Sequence, residues 1–438
     1  WLWKDHTAAE EAREITELAA QLHPEYLRKC GGAYSSEWFF SKILHCYHVD
    51  REVFEAAYSW IELSDYIPAL LCGYNTVSQV KRNICAAGHK AMYSDQWGGL
   101  PARDFLAKLS PALAQLRDRL YQKAYSSDEI AGYLSPQWAN HLKLPAGLPI
   151  AVGALDAHYG AVGAGIGERI LVKIIGTSTC DIMVHKINKK LQDIPGVSGI
   201  VKGSVLPGYW GIEAGQSAVG DIFNWFVTQV LHKSSDYYQV LSEKATSLKA
   251  GQSGLLALDW NNGNRNILTD PHLSGLLLGQ TLLTSDFEIY RALIEATAFG
   301  ARRIIEQIEQ YGVKIDKVIN CGGIAEKNPL VMQIYADILG RPMEVAKSSQ
   351  TVALGAAIFG GLAGLKKVKG FESAEKIQQR VCQIKDKIFY PAKDQHKVYN
   401  QLYSLYKKLH DGFGVKGNHE NMYRLMKDLL EIKKLTTP

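Results

Sequence analysis

The sequence predicts an α/β fold with two domains and a helical C-terminal extension. A length of 438 residues exceeds what one hydrophobic core of typical size accommodates, so two domains are expected. The first 150 residues are rich in helical patterns. After them, short β-branched runs alternate with glycines and long amphipathic helices, which is typical of a mixed sheet covered by helices.

Composition narrows the function classes. Hydrophobic residues make up 47% and charged residues 21% of the chain, a balance typical of soluble globular proteins. The formal net charge of +5 is small for this length, and Lys and Arg form no dense runs, so we expect no nucleic-acid partner. No stretch reaches the length of a membrane span, and the N-terminal WLWKDHTAAEEAREI lacks the pattern of a signal peptide.

The seven cysteines favour a cytoplasmic protein. An odd count without a CxxC pair indicates reduced thiols rather than a disulfide framework. His6, His89 and His158 lie in or near the motifs described below, but no HxxxH or HxH spacing supports a metal site. We therefore predict no metal-ligating residue.

The first region is expected to be helical. Thr7 and Glu10 have the spacing of a capping box at the start of a helix over residues 7–22. Further helical patterns occupy three segments: SSEWFFSKILHCYHV from Ser35, SDYIPALLCG from Ser64, and residues 104–123.

The second region has the pattern of strands separated by helices. The predicted strands lie in ILVKIIGTSTCDIMV at 170–184, VKGSVLPGYWGIEAG at 201–215, KVINCGGIA at 317–325 and MEVA at 343–346. A long amphipathic helix is predicted from Ser285. Beyond about residue 395, one or two amphipathic helices are expected to pack on the outside.

Two glycine-marked turns are candidate nucleotide sites. In IIGTSTCD, a strand ends in Gly176, Thr177 and Ser178 and then resumes, so a hairpin turn exposes backbone N–H groups and hydroxyls suited to phosphates. In VINCGGIAEKNP, a strand runs into Gly322 and Gly323, and a helix begins near Asn328. Each turn alone is also common in proteins that bind no nucleotide. The segment 350–364, QTVALGAAIFGGLAG, is most simply a tightly packed helix.

A solitary carboxylate marks a third candidate site. Asp156 lies in VGALDAHYGAVGAG, residues 152–165, among small and apolar residues. A carboxylate in such a setting can act as a general base, and an aspartate before a helical segment can equally be an N-cap. The residues alone favour neither the general base nor the helix N-cap.

The order of these elements resembles the ATPase domain shared by sugar kinases, actin and the heat-shock chaperones. Within that group the chain resembles the FGGY carbohydrate kinases, and among them the members that act on L-ribulose. The similarity covers essentially the whole chain. It rests on WLWKDHTA at 1–8, GGAYSSEWFFSKILH at 31–45, AAGHKAMY and WGGLP within 86–101, VGALDAHYGAVGAG, IIGTSTCDIMV, GYWGIEAGQSAVGD at 208–221 and GLLALDWNNGNRN from Gly254.

The resemblance implies two actin-like, ribonuclease H-like ATPase-fold domains that flank a cleft. Residues 1–165 would be the remainder of an N-terminal sugar-binding domain, residues 166–395 an ATP-binding domain, and residues 396–438 a helical extension. Family members begin with a strand, a DxG-type phosphate turn and a return strand, and no such turn precedes Trp1. We therefore expect a truncated first domain, an incomplete phosphate and Mg²⁺ site, and no activity from this chain alone.

The resemblance also implies a reaction and a set of roles. The reaction would be ATP- and Mg²⁺-dependent phosphorylation of the C5 hydroxyl of L-ribulose, a step of L-arabinose catabolism. Asp156 would be the general base. The remaining assignments are Lys90, Glu213 and Gln216 for the sugar, Gly176, Thr177 and Ser178 for the phosphates of ATP, and Gly322, Gly323 and Asn328 for the adenosine.

Alternatives stay open at this point. The chain can be a kinase for another pentulose or polyol, or a non-catalytic actin-like ATP-binding protein. Lys90 can be a solvated lysine, Glu213 a strand-end charge and Asn328 a helix cap. The sequence leaves the oligomeric state open, with a homodimer among the options, and predicts no membrane partner.

Overall fold

The computed structural model describes residues 1–2 and 5–437, and within them α-helices predominate. The helices before the sheet are α1 (Ala9–Leu22), α2 (Pro24–Arg28), α3 (Phe39–Val49), α4 (Arg51–Ala56), α5 (Leu63–Cys72), α6 (Ile84–Lys90), α7 (Arg103–Leu109), α8 (Pro111–Arg117), α9 (Pro136–Leu142) and α10 (Asp156–Gly163). The later helices are α11 (Gly220–Asn224), α12 (Tyr237–Thr246), α13 (Asp286–Gln310), α14 (Gly323–Lys327), α15 (Pro329–Leu339), α16 (Thr351–Leu365), α17 (Ala374–Val381), α18 (Lys393–Gly414) and α19 (Leu425–Thr436). Short 3₁₀ turns span Val77–Gln79 and Asp95–Trp97, and a π-helical turn, Trp225–Val230, follows α11.

Twelve strands are formed by the described residues. They are β1 (Arg82–Asn83), β2 (Ala124–Tyr125), β3 (Ile130–Tyr133), β4 (Pro149–Ala151), β5 (Ile170–Ile175), β6 (Thr179–Lys186), β7 (Gly199–Lys202), β8 (Tyr209–Ala214), β9 (Leu256–Leu258), β10 (Leu276–Leu278), β11 (Lys317–Cys321) and β12 (Met343–Val345). Strand β1 pairs with β2, β3 with β4, and β9 with β10 in two-stranded sheets.

The main sheet has six strands in the order β12-β11-β5-β6-β8-β7. Strand β11 runs parallel to both of its neighbours, with Val318 opposite Leu171 on β5 and Met343 on β12. Strands β7 and β8 form an antiparallel pair in which Gly199 lies opposite Glu213. The sheet is therefore mixed, as the alternation of strands and helices predicts.

The chain divides into two compact units that are each discontinuous in sequence. Unit 1 comprises residues 1–168, 182–213 and 350–382, and unit 2 comprises residues 169–181, 214–349 and 383–438. The end of the first segment lies close to the predicted boundary at residue 165. The predicted extension at 396–438 contains α18 and α19 and belongs to unit 2. The assignment of residues 1–165, 166–395 and 396–438 as functional domains stays a prediction.

Each unit has its own hydrophobic core. In unit 1 the helices α1, α3, α7 and α8 bury a continuous apolar cluster around Phe40, Leu44, Phe105 and Leu106. In unit 2 the long helix α13 buries most of its length, and Ser285 and Glu288 form a capping box at its start. No helix of the described residues combines the length and apolar character that a membrane crossing requires.

Most predicted elements are present, and two are corrected. The helix predicted at residues 7–22 is α1, but Ala8 rather than Thr7 is its N-cap, so the capping box of Thr7 and Glu10 was wrong. The Thr7 hydroxyl and backbone N–H instead donate to Asp5 Oδ1. The helical segment 104–123 is broken into α7 and α8, because Pro111 cannot continue α7 and Ser110 caps α8.

Helices α10 and α16 of unit 1 are in backbone contact, and two glycines permit it. A Cβ atom on Gly355 of α16 would lie 1.9 Å from the carbonyl oxygen of Tyr159, and one on Gly163 of α10 would lie 1.9 Å from that of Thr351. Both positions therefore exclude any side chain. The prediction that 350–364 forms a tightly packed helix is confirmed, and the packing fixes the position of α10.

We predict that Gly355→Ala destabilises the protein by about 1–3 kcal/mol, because the added methyl group collides with backbone that cannot move aside. Gly360→Ala on the same helix is the matched control, since a Cβ there meets no atom within 4 Å. The control is expected to stabilise by about 0.5–1 kcal/mol through helix propensity. Urea unfolding of both variants measures the difference, and equal effects would contradict the packing described.

Candidate functional site

Asp156 is the first residue of α10 and is exposed. The N-cap of the helix is Leu155, so the alternative reading of Asp156 as the N-cap does not match the structure. Its Oδ1 accepts a hydrogen bond from the N–H of Ala157 at 2.8 Å. The carboxylate thus sits at the positive end of the helix, where its negative charge is stabilised.

Lys90 and Glu213 lie on two other elements of unit 1. Lys90 is the last residue of α6 and is partly buried, and its carbonyl oxygen accepts a hydrogen bond from the Tyr34 hydroxyl. Glu213 lies on β8, and its side chain is 19% exposed. A cation and an anion that both keep access to solvent can bind hydroxyl groups, since the ammonium donates and the carboxylate accepts.

A pair of buried histidines connects the three elements. His89 precedes Lys90 on α6, and His158 follows Asp156 by two residues on α10. The Nε2 atoms of the two rings are 3.1 Å apart. The Nδ1 atom of His89 lies 3.2 Å from Glu213 Oε2, at an angle that suits an electrostatic contact better than a hydrogen bond, and His158 Nε2 lies 3.6 Å from the same oxygen.

The three predicted residues lie close enough to His158 for their charges to act on its pKa. Burial lowers the pKa of His158, whereas the charges of Glu213 and Asp156 act to raise that pKa and the charge of Lys90 acts to lower it. Burial also lowers the pKa of His89 well below its ordinary value. Both imidazoles are therefore neutral at pH 7. Lys90, Asp156 and Glu213, which are distant in sequence, are brought together here.

Cys85 adds a thiol to the histidine pair. Its Sγ and one nitrogen of each ring lie within 4.8 Å of one another, and all three residues are buried. Burial raises the pKa of the Cys85 thiol well above its ordinary value, so the group is protonated. Sequence spacing did not reveal this cluster, because Cys85 and His89 come from α6 and His158 comes from α10.

A cavity of about 270 Å³ lies beside His89 in unit 1. Tyr34, Trp38, Trp97 and Trp210 contribute aromatic walls to it. Lys90, Asp156 and Glu213 are not among its lining residues.

The turn of residues 176–178 lies in unit 2 between β5 and β6, as the sequence predicts. Thr177 is exposed, and its carbonyl oxygen accepts hydrogen bonds from the N–H groups of Val219 at 2.8 Å and Asp221 at 3.1 Å. A Cβ on Gly176 would meet no atom closer than 4.0 Å. The turn is thus held from one side and open on the other, which suits a loop that binds phosphates.

The glycine pair after β11 approaches that turn. Gly322 has φ +95°, and a Cβ on it would lie 2.5 Å from the carbonyl oxygen of Ile175, the residue before Gly176. Gly323 has open space around the same position. The structure therefore brings the two predicted nucleotide turns side by side within unit 2. Glycine is required at residue 322 by both its conformation and this contact.

Asn328 caps α15. Its Oδ1 accepts the N–H of Val331 at 3.2 Å, and its Nδ2 lies 3.4 Å from both Ser242 Oγ and Tyr290 Oη. Helix α15 begins at Pro329, as predicted. The cap is the alternative that the sequence left open, and a contact with adenosine stays a prediction.

Gln216 is part of a buried polar network in unit 2. Its Nε2 donates to Asp259 Oδ2 at 2.6 Å and to the carbonyl oxygen of Thr297 at 2.8 Å, and its Oε1 accepts from Lys173 Nζ at 3.3 Å. Lys173 is also bound to Asp181 at 2.8 and 2.9 Å. Both amide hydrogens of Gln216 are used in these hydrogen bonds, which hold the side chain inside unit 2. Its contact with a sugar stays a prediction.

Sequence reasoning missed Lys173 and Asp181, and it named His89 and His158 without predicting that they form a pair. The sequence did contain a signal for the Lys173 and Asp181 pair. These residues lie four positions before and four positions after Thr177, the centre of the hairpin turn, and such residues are expected to lie opposite each other. A lysine inside the apolar run ILVKII therefore needs the aspartate of TSTCD as its partner. The histidine pair had no such signal, because the two residues are 69 positions apart.

Comparison with known proteins identifies relatives over the whole chain. The chain is similar to the ribulokinase of Bacillus licheniformis, with 41% identity over 447 residues that cover 100% of this chain and 79% of that protein. It is similar to the ribulokinase of Vibrio parahaemolyticus, with 44% identity over 382 residues that cover 83% of this chain and 67% of that protein. Residues 171–364 match the C-terminal domain of the FGGY family of carbohydrate kinases.

Solved structures share the fold. The gluconate kinase of Lactobacillus acidophilus superposes with a TM-score of 0.77 and 20% identity, covering 95% of this chain and 80% of that one. The xylulose kinase of Rhodospirillum rubrum gives a TM-score of 0.72 with 22% identity, covering 91% and 77%. These similarities confirm the predicted fold class.

We predict that Lys173→Met destabilises the protein by about 3–5 kcal/mol, because it leaves Asp181 buried without its cation. The double variant Lys173→Met, Asp181→Leu is the control, and it is expected to recover most of that loss because no unpaired charge remains. Urea unfolding gives both values. A double variant as unstable as the single one would show that the pair is not the source of the effect.

Proposed function

The chain belongs to the FGGY family of carbohydrate kinases, as its motifs predict, and we propose that it transfers the γ-phosphoryl group of ATP to the C5 hydroxyl of L-ribulose. The 41% identity to a ribulokinase along the entire chain carries the choice of substrate. The placement of Lys90, Asp156 and Glu213 near His158 supports it, because this set combines a base with a donor and an acceptor for hydroxyl groups.

Unit 1 supplies the proposed sugar contacts. Lys90 donates from its ammonium group to a sugar oxygen, and the Glu213 carboxylate accepts from a sugar hydroxyl. Both side chains keep partial exposure, so a ligand can reach them. Their opposite charges orient the sugar, because Lys90 needs a sugar oxygen that accepts a hydrogen bond and Glu213 needs a sugar hydroxyl that donates one.

Asp156 is the proposed general base. It accepts the proton of the C5 hydroxyl as that oxygen forms a bond to the γ-phosphorus and the bond from the γ-phosphorus to the β-phosphate oxygen breaks, releasing ADP. One carboxylate beside the nucleophile is sufficient, since positioning and charge stabilisation do most of the work in phosphoryl transfer. Its exposure and its single described hydrogen bond leave the carboxylate available for this proton.

Unit 2 supplies the proposed nucleotide contacts. The backbone of Gly176, Thr177 and Ser178 binds the phosphates of ATP, and Gly322, Gly323 and Asn328 line the adenosine site. The open space at Gly176 and Gly323 fits this assignment, because a nucleotide can approach the backbone there. Mg²⁺ bound with ATP neutralises charge on the phosphates. We assign no residue of this chain to Mg²⁺, and we place the protein in the cytoplasm on its cysteine usage.

Asp156→Asn is predicted to lower kcat by about 10²–10⁴-fold in the full-length protein, because the amide cannot accept the hydroxyl proton. Affinity for ATP, measured by calorimetry, is expected to stay unchanged. Asp104→Asn is the matched control: Asp104 is also an exposed aspartate in the first turn of a helix, α7, and accepts the N–H of its following residue. An Asp156→Asn enzyme that kept most of its activity would remove the base assignment.

The substrate is tested by a panel of sugars in a coupled assay for ADP. We expect kcat/KM for L-ribulose to exceed that for D-xylulose and glycerol by at least about tenfold, the effect of one well-placed hydroxyl contact. A higher value for another polyol would replace L-ribulose as the substrate and leave the kinase assignment intact. ADP formation with none of the sugars would contradict the proposed function.

A further inference from the structure

We propose that His89 and His158 are positioning residues that hold the Glu213 carboxylate in place as two uncharged rings in close electrostatic contact with it. The inference rests on the proposed function, in which Glu213 binds the sugar. The observation behind it is that both rings lie within 3.6 Å of the same carboxylate oxygen, Oε2, and within hydrogen-bond distance of each other. Nothing in the reaction itself uses either imidazole.

The geometry determines which nitrogen of each ring carries hydrogen. An ionised carboxylate can only accept, so the atom that faces it at 3.2 Å, His89 Nδ1, carries the hydrogen. In a neutral ring the other nitrogen, His89 Nε2, is then an acceptor. It therefore receives the hydrogen of His158 Nε2 at 3.1 Å, and that Nε2 atom lies 3.6 Å from Glu213 Oε2.

Ser204 completes the arrangement. Its Oγ lies 3.0 Å from His89 Nε2 and 3.1 Å from the carbonyl oxygen of Val201. The Ser204 hydroxyl donates to the carbonyl oxygen of Val201, because the single lone pair of His89 Nε2 already accepts the hydrogen of His158. The Nε2–H of His158 thus has an acceptor, the Nδ1 atom of His89 lies beside a carboxylate oxygen, and neither ring requires a positive charge.

Burial keeps the rings neutral and rigid. Both side chains are at most 2% exposed, and desolvation opposes their protonation. Gly199, which lies opposite Glu213 on the neighbouring strand, leaves room for the ring, since a Cβ there would lie 1.9 Å from His89 Nδ1. The ring of His89 is therefore packed directly beside the residue that it positions.

Cys85 lies close to the two rings, so the three side chains could instead bind a metal ion. A thiolate and two imidazole nitrogens are common ligands of Zn²⁺. In that account the ring nitrogens would bind an ion and would not donate to Glu213. Zinc analysis of the purified protein therefore decides between the two, because stoichiometric zinc that His158→Phe removes would overturn the positioning role.

A double-mutant cycle on sugar affinity tests the coupling to Glu213. In the full-length protein, His158→Phe removes the donor, and we expect about a tenfold weaker Kd for L-ribulose by calorimetry, with the Kd for ATP unchanged. His158→Gln retains an N–H near the position of Nε2 and is expected to keep most of the affinity. In a Glu213→Gln background, His158→Phe is expected to change the sugar Kd by less than about twofold, because the group it positions has gone.

The outcomes separate a positioning role from a structural one. A structural histidine would weaken sugar binding equally in both backgrounds and would not be rescued by glutamine, and either result would overturn the proposal. His45→Phe is the matched control, since His45 Nδ1 lies 3.1 Å from the Glu11 carboxylate in the same unit. We expect it to lower thermal stability without changing the Kd for L-ribulose.

A second measurement does not depend on sugar binding. In protein labelled with ¹⁵N-histidine, the ring shifts are expected to show hydrogen on Nδ1 of His89 and on Nε2 of His158, with no protonation between pH 7.5 and about 5.5. Either ring titrating near its ordinary pKa of about 6.5 would contradict the proposal. If the wild type bound no L-ribulose, the proposed function would fail, while these spectra would still decide the ring assignments.

Discussion

The candidate site of unit 1 depends on the contact between the Glu213 carboxylate and a buried, uncharged histidine pair. That contact joins α6, α10 and β8, and each of these elements carries one of the residues assigned to the sugar or to the proton transfer. Burial disfavours a positive charge on either ring, so both rings are neutral at pH 7. The backbone contact of α10 with α16 holds the third element against this pair.

Unit 2 uses a different constraint, the close approach of backbone to backbone. Gly322 brings the end of β11 against the end of β5, so the turn at residues 176–178 and the glycine pair form one surface. Beneath that turn, the buried Lys173 and Asp181 pair and the amide of Gln216 satisfy one another. A polar network of this kind is costly when broken and therefore keeps β5 and β6 in one register.

Sequence reasoning predicted the parts of the molecule that local patterns specify. The strands, the hairpin turn, the helix after Asn328 and the isolated carboxylate Asp156 all follow from residue types and spacing. The capping box at Thr7 was wrong because Asp5 competes for the same hydroxyl, which spacing alone does not reveal. The histidine pair and the network around Gln216 were not predictable in the same way, since tertiary packing brings together residues that are remote in sequence.

The central claim is that the carboxylate of Asp156 receives the proton of a sugar hydroxyl while Lys90 and Glu213 hold the same sugar. A crystal structure of the full-length protein with L-ribulose and a non-hydrolysable ATP analogue tests this most directly. The account predicts an Asp156 oxygen about 2.6–3.2 Å from the C5 hydroxyl, with Lys90 and Glu213 bound to other oxygens of the sugar. A sugar bound elsewhere, or one whose C5 hydroxyl is out of reach of Asp156, would contradict it.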